Sequence, residues 1–250
     1  MYETLYEYGM EDNLGKWKAF SVPWHDVGEA LYKAIGPTSF AFRKAVTDIK
    51  YMDDGVIVAT PTRTYQAKKV VVATTVETLR QLFPQFKLYN QIEGQPFLRV
   101  YGKFDKASTA ILQSKIQGMT YVDFPVQKMI PMNVEKGVYM IVYNDNQSAL
   151  ELKGRVENTP ANCRFYERLL EKVLQVSGLH LMDIRAFYWE VGTHYYKPLF
   201  KNSENRESFM TKAQRPAENV FVVGELVSRN QGWTEGCLES VAEVLPDIVG

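Results

Sequence analysis

Four consecutive apolar residues, Val220-Phe221-Val222-Val223, run straight into Gly224-Glu225 and then into Gly232-Trp233-Thr234-Glu235-Gly236. No other segment restricts this chain as much. A short, continuous, β-branched run predicts a strand buried on both faces, because an edge or surface strand alternates instead. The glycine-bounded segment after it predicts the opening of a helix over the last residues. A strand that ends in glycine-acid and feeds a glycine-rich helix start makes a place to hold a phosphate or an electron-rich ring. Glycine lets the backbone come close to a ligand, and the free amides and positive dipole end of the helix favour negative charge. The plainer alternative is an ordinary strand-loop-helix with a glycine turn.

Composition narrows the setting. With 250 residues, 46% apolar and 23% charged, the chain has the make-up of one large or two modest folded domains. Its 29 basic and 29 acidic residues cancel, so no overall field draws it to nucleic acid or to an acidic membrane surface. No apolar stretch approaches the roughly 18 residues of a membrane span, and the acidic, tyrosine-rich residues 1–12 do not read as a secretion signal. Cys163 and Cys237 are too few for a disulfide framework and fit a reducing, cytoplasmic setting. His25, His180 and His194 lack metal-ligand spacing, so no metal site is expected.

Residues 1–20 suit a short helix or an N-terminal arm. An amphipathic helix is predicted over 26–35, with Asp26 as N-cap and Gly36-Pro37 as its stop. Strands are expected at 39–45 and 46–49, then across an Asp53-Asp54-Gly55 turn at 56–59, and at 64–67. The run 69–74 reads as a strand buried on both faces, with Thr74-Thr75 capping a helix over 76–83. Further strands are expected at 97–104, 118–124, 138–143 and 187–190. A helix over 162–176 should end before Gly178.

The C-terminal block resembles the cofactor signature of the flavin-containing amine oxidase family, with Cys237 at the usual alanine and Val241 where glycine is common. Residues 26–84 also follow that family's order of elements. The family's opening G-x-G-x-x-G turn, which holds the ADP half of FAD, has no counterpart in these residues. The resemblance therefore implies an α/β fold: an incomplete FAD-binding, Rossmann-like lobe from residues 1–85 and 205–250, with an inserted α+β substrate-type domain at 86–204. It also implies roles for particular residues. Gly224 and Glu225 would approach the pyrophosphate and ribityl chain, and Val46 would meet the adenine through its backbone. Gly232, Trp233, Thr234, Glu235 and Gly236 would face the flavin, with Trp233 as one wall of an aromatic cage for an amine. Arg99 stands where the family places a lysine beside the reactive ring nitrogen, and arginine cannot serve as a tunable base. Tyr195, flanked by His194 and Tyr196, would complete the wall from a loop.

The function implied is that of an FAD-dependent, amine-oxidase-like oxidoreductase module acting on a small amine. Its site would be completed by a missing segment or another chain, and its FAD held non-covalently, weakly or not at all. The alternative is a degenerate, non-catalytic structural or interaction protein on the same fold. Either reading expects a homo-oligomer or a partner protein to cover the incomplete lobe.

Overall fold

The computed structural model describes residues 22–122, 125–198 and 205–250. The arm expected at 1–20 and the far end of the strand expected at 118–124 lie outside them. The described residues form two compact units, one of residues 22–46 with 60–62, the other of residues 47–59 with the described residues from 63 onward.

In the first unit, helix α1 (Trp24–Ile35) follows Pro23, which takes the N-cap position in place of Asp26. Gly36 ends it at φ 93°, a conformation costly for any residue with a Cβ. None of its residues is buried. The strand expected at 39–45 does not form. Ser39 closes a 3₁₀ turn over Pro37–Ser39, and Arg43 sits at φ 58°, which interrupts an extended backbone. Phe40 and Phe42 stack with ring centroids 5.9 Å apart, and Tyr32 packs 4.8 Å from Phe40.

The second unit opens with an antiparallel meander, β1 (Asp48–Met52), β2 (Gly55–Ala59) and β3 (Thr64–Ala67), turned at Asp53-Asp54 as expected. Strand β4 (Val70–Ala73) follows, then helix α2 (Val76–Leu82), which buries Val76, Leu79 and Leu82. Next come the long strand β5 (Ile92–Phe104), α3 (Lys106–Lys115), β6 (Thr120–Tyr121), β7 (Lys128–Asn133) and β8 (Val138–Asp145). They are followed by α4 (Asn146–Leu152), α5 (Pro160–Leu174), β9 (Leu181–Tyr196) and α6 (Arg206–Gln214). The chain closes with β10 (Val220–Val223) and α7 (Thr234–Val249).

Strand β10 pairs parallel with β4, Val220 opposite Val70 and Val223 opposite Ala73. All four residues of β10 are buried, as its sequence requires. Strand β4 is not buried on both faces. Only Val72 is buried, and Val71 is 45% exposed, because β10 is its single strand partner among the described residues. This strand pair shares an apolar core with Leu79, Tyr89, Phe209 and Leu226.

The remaining strands form a sheet in the order β6-β7-β8-β5-β9. The segment around 187–190, expected as a short strand followed by a loop, is instead part of a 16-residue strand that includes His194, Tyr195 and Tyr196. Its pairing with β5 breaks between Gln95/Thr193 and Phe97/Trp189, leaving Glu190, Val191 and Gly192 opposite Pro96. The sequence explains the bulge. Proline has no N–H for a ladder bond, and a side chain at Gly192 would strike the Phe97 ring. One sheet face packs Leu98, Val100, Val142 and Ile184 against Tyr166 and Leu170 of α5 in a second core. Thr159 caps α5, its hydroxyl accepting the Asn162 amide at 3.2 Å. That helix ends at Gln175, which itself takes the left-handed conformation (φ 53°), so Gly178 is not its stop.

Candidate functional site

The end of β10 is tied down on all sides. Gly224, at φ 126°, donates its N–H to Ser240 Oγ of α7 (2.8 Å), and that hydroxyl donates to the Cys237 carbonyl (2.7 Å). After it, a 3₁₀ turn over Glu225–Val227 directs the Glu225 carboxylate inward. One carboxylate oxygen meets His194 Nδ1. The other accepts the Gly232 amide at 2.8 Å and, more weakly, the Thr193 hydroxyl at 3.4 Å. The far side of the imidazole accepts the Val76 amide, with Nε2 3.2 Å away. An Nε2 that accepts carries no proton, so the proton sits on Nδ1 and is donated to Glu225. The two side chains are 6% and 16% exposed, which makes the bond charge-assisted and largely shielded from water. Tyr196 adds two bonds, its N–H to Gln231 Oε1 and its hydroxyl to the Ser228 carbonyl, each 3.0 Å. The loop between β10 and α7 is thereby fastened to β9 and to the first turn of α2.

This fastening places the start of α7. Gly232 turns the chain at φ 85°, Trp233 is the extended N-cap residue, and no side chain caps the helix. The Cys237 amide is the one that returns to the Trp233 carbonyl (3.4 Å), so the Thr234, Glu235 and Gly236 amides precede the first intrahelical bond. Gly232, Trp233, Thr234 and Glu235 are exposed, Trp233 by 48%. Gly236 is buried, and a Cβ there would collide with the Asn230 carbonyl and Ser228 Oγ, so its missing side chain serves the contact of loop with helix.

Arg99 lies on β5 opposite Tyr143 of β8 and Phe187 of β9. It is 9% exposed. Its guanidinium sits 3.5 Å from the Tyr143 ring centroid and 4.7 Å from that of Phe97, and it donates to the Leu98 (3.0 Å) and Asn144 (2.7 Å) carbonyls. Burial pushes its pKa down from the ordinary value, yet an arginine remains charged. It is a fixed cation clamped between rings.

The structure thus joins Gly224, Glu225 and Gly232 in one bonded unit and sets Trp233, Thr234, Glu235 and Gly236 directly after it. Tyr195 is 45% exposed on β9, while its neighbours His194 and Tyr196 bond to the loop. Val46 belongs to the first compact unit and is 40% exposed. Thr193, Gln231 and the Val76 amide are members of this unit that the sequence did not point to. Hydrogen-bond partners so far apart in the chain leave no local pattern to find. Among the described residues no His, Cys, Asp and Glu side chains gather as a metal site, and no helix is long and apolar enough to cross a membrane.

Comparison with solved structures finds a similar fold in cyclohexylamine oxidase from Brevibacterium oxydans IH-35A, with a TM-score of 0.66 and 14% sequence identity over 89% of this chain. This chain spans 52% of that one, about half its length. A likeness at such low identity is one of fold. No protein-family model and no curated protein sequence matches the chain. The architecture is mixed α/β and fits part of an amine-oxidase-like fold.

Proposed function

We propose that this chain forms the flavin-edge and substrate-side part of an amine-oxidase-like, FAD-dependent oxidoreductase. Residues beyond this sequence, or another chain, complete the dinucleotide cradle. One observation carries the reading: the uncapped start of α7, with Trp233 exposed beside it, held in place by the Glu225–His194 unit at the end of a parallel strand pair. First-turn amides and an aromatic wall suit the electron-rich edge of a flavin. The ADP half finds no glycine-rich turn in the sequence, so the residues present fit one end of the cofactor only.

FAD, when bound, supplies the hydride acceptor. The chain's own part is to hold and orient. The Thr234, Glu235 and Gly236 amides face the negative edge, and Trp233 and Tyr195 wall the amine. The Gly224-Glu225 turn fixes where α7 begins. Arg99 stands where the family places a lysine, and, buried between Tyr143 and Phe97, it keeps a permanent charge that cannot act as a tunable base. In this reading residues 1–85 and 205–250 form the cofactor lobe, 86–204 the substrate domain, and a second copy or a partner covers the lobe. An amine substrate is suggested by the name of the cyclohexylamine oxidase whose fold is similar.

A second reading, a non-catalytic interaction protein, is favoured by how completely the polar groups are used internally. Glu225 accepts from three protein donors, and the Gly224 and Gly232 amides are already engaged. Titrating FAD into the purified chain, followed by flavin fluorescence and the visible spectrum, separates the two. Our reading expects weak binding that Trp233→Ala weakens further, and little flavin retained through purification, since the lost contacts must be set against several kcal/mol of ligand freedom. A stoichiometric yellow preparation would refute the incomplete cradle. No quenching at saturating FAD would favour the non-catalytic protein.

A further inference from the structure

Helix α5 sorts its charges by face, independently of the site above. Its acids are used inward: Glu167 accepts the Leu181 amide (2.7 Å) and Glu171 the Leu179 amide (3.0 Å), which secures the approach to β9. Its cations Arg164, Arg168 and Lys172 point outward, are exposed, and form no ion pair among the described residues. They recur every four residues, a spacing of about 6 Å along the axis. Beside them Arg155 lies 4.6 Å over the Phe165 ring and donates to Asn162 Oδ1 at 3.3 Å, again without a carboxylate partner. These four cations line an open groove of about 510 Å³ together with the apolar side chains of Ala161, Phe165 and Leu169.

We propose that this groove docks an acidic amphipathic helix of a partner protein. Charge complementarity selects the occupant. Four cations without a carboxylate partner among the described residues stand together on a chain whose total charge is zero, so the positive field is local to this groove. Glutamates four residues apart on a partner helix repeat at the same rise as Arg164, Arg168 and Lys172. Two of the three cations are arginines, which grip carboxylates bidentately. The apolar side chains of the groove call for aliphatic ones between those carboxylates, a helix laid in a groove through its apolar stripe. A nucleic-acid strand would stack its bases on an open aromatic face, and the Phe165 ring is already covered by Arg155. An anionic bilayer needs apolar side chains that stand proud, whereas Phe165 and Leu169 are half-buried against the core.

The test is fluorescence anisotropy with a labelled peptide of about 15 residues, long enough to lie along the groove. Its leucines form one helical stripe, with glutamates on both flanks. The expected result is binding that weakens with added salt and falls about tenfold or more in Arg164→Glu/Arg168→Glu, a change that removes two exposed attractions and adds repulsion. The same variant should stay folded with a midpoint lowered by a few degrees at most, since neither arginine has an ion-pair partner to lose among the described residues and the new glutamates only repel Glu167, Glu171 and each other on the exposed helix. Ala161→Trp, which fills the groove and leaves every charge in place, should also reduce binding. Three outcomes would overturn the proposal: equal binding of a peptide of the same composition with its helical stripe scrambled, unchanged binding by Ala161→Trp, or tighter binding of single-stranded DNA or anionic vesicles than of the peptide.

Discussion

Replacing Glu225 with glutamine removes one charge and almost no volume, so it asks a single question of the unit that positions α7. The carboxylate accepts from His194 Nδ1, from the Gly232 amide and from the Thr193 hydroxyl. Glutamine offers one oxygen and one NH₂. If the oxygen faces His194, the NH₂ faces the Gly232 amide, and donor opposes donor. If the amide flips, the NH₂ faces Nδ1–H. The imidazole cannot relieve this by moving its proton to Nε2, because that atom accepts the Val76 amide. Either arrangement leaves one donor without its acceptor: the Gly232 amide, on an exposed residue, or the buried Nδ1–H of His194. Glutamine settles with its NH₂ toward the water-accessible Gly232 amide, so the cost, including the lost charge assistance at His194, falls in the lower part of the about 1–3 kcal/mol for an unmade bond. For a chain of this size, about 1–2 kcal/mol lowers the thermal midpoint by roughly 2–8 °C. Thermal unfolding of Glu225→Gln, His194→Ala and the double variant gives the coupling between the two residues directly. In proton NMR the Nδ1–H signal should also move upfield in Glu225→Gln, because a neutral amide oxygen replaces the carboxylate as acceptor. A midpoint within a degree of the parent, together with no coupling to His194, would refute the assignment of donors and acceptors.

Gly236→Ala adds a better helix former, worth up to about 1 kcal/mol, but drives a Cβ into the Asn230 carbonyl, and such overpacking costs about 1–3 kcal/mol. A lowered thermal midpoint is expected, and a raised one would show that the loop yields. Arg99→Lys gives up flat stacking on Tyr143 and Phe97, an expected loss of about 1–2 kcal/mol in urea unfolding. On an assembly that restores flavin binding, the same change should leave amine-dependent peroxide production equal or higher. Trp233→Ala, at an exposed position, should barely alter stability yet lower peroxide production on that assembly. Asp105 caps α3 by accepting the Ser108 amide at 2.8 Å, and its bonds to the Ser108 side chain and backbone hold its carboxyl below the usual range. A folded pKa below the unfolded one means the contribution is complete above the unfolded value and lost as pH falls through the folded one. The urea midpoint of Asp105→Asn should therefore fall less than the parent's between neutral pH and about pH 3.

What the sequence determined by itself was local and periodic. The apolar runs at 220–223 and around 70–73 became strands, Asp53-Asp54 made its turn, and Thr75 preceded a helix, because each depends on neighbours within a few residues. The start of α7 was legible for the same reason: Gly232 and Gly236 announce it within five residues. Tertiary structure decided the rest. Val71 is exposed although its run reads as doubly buried, because burial depends on which strands flank β4 rather than on its own composition. Residues 187–196 became one long strand instead of a strand and a loop, since the register with β5 and the bulge opposite Pro96 carry the pairing onward. Glu225, legible as an acid at a strand end, turned out to be held by His194, 31 residues earlier in the chain, and Gly236 to pack against its own loop. The sequence could name the residues at this site. Which of their donors and acceptors stay open to a ligand depends on long-range partners, and these are assigned only when the chain folds back on itself.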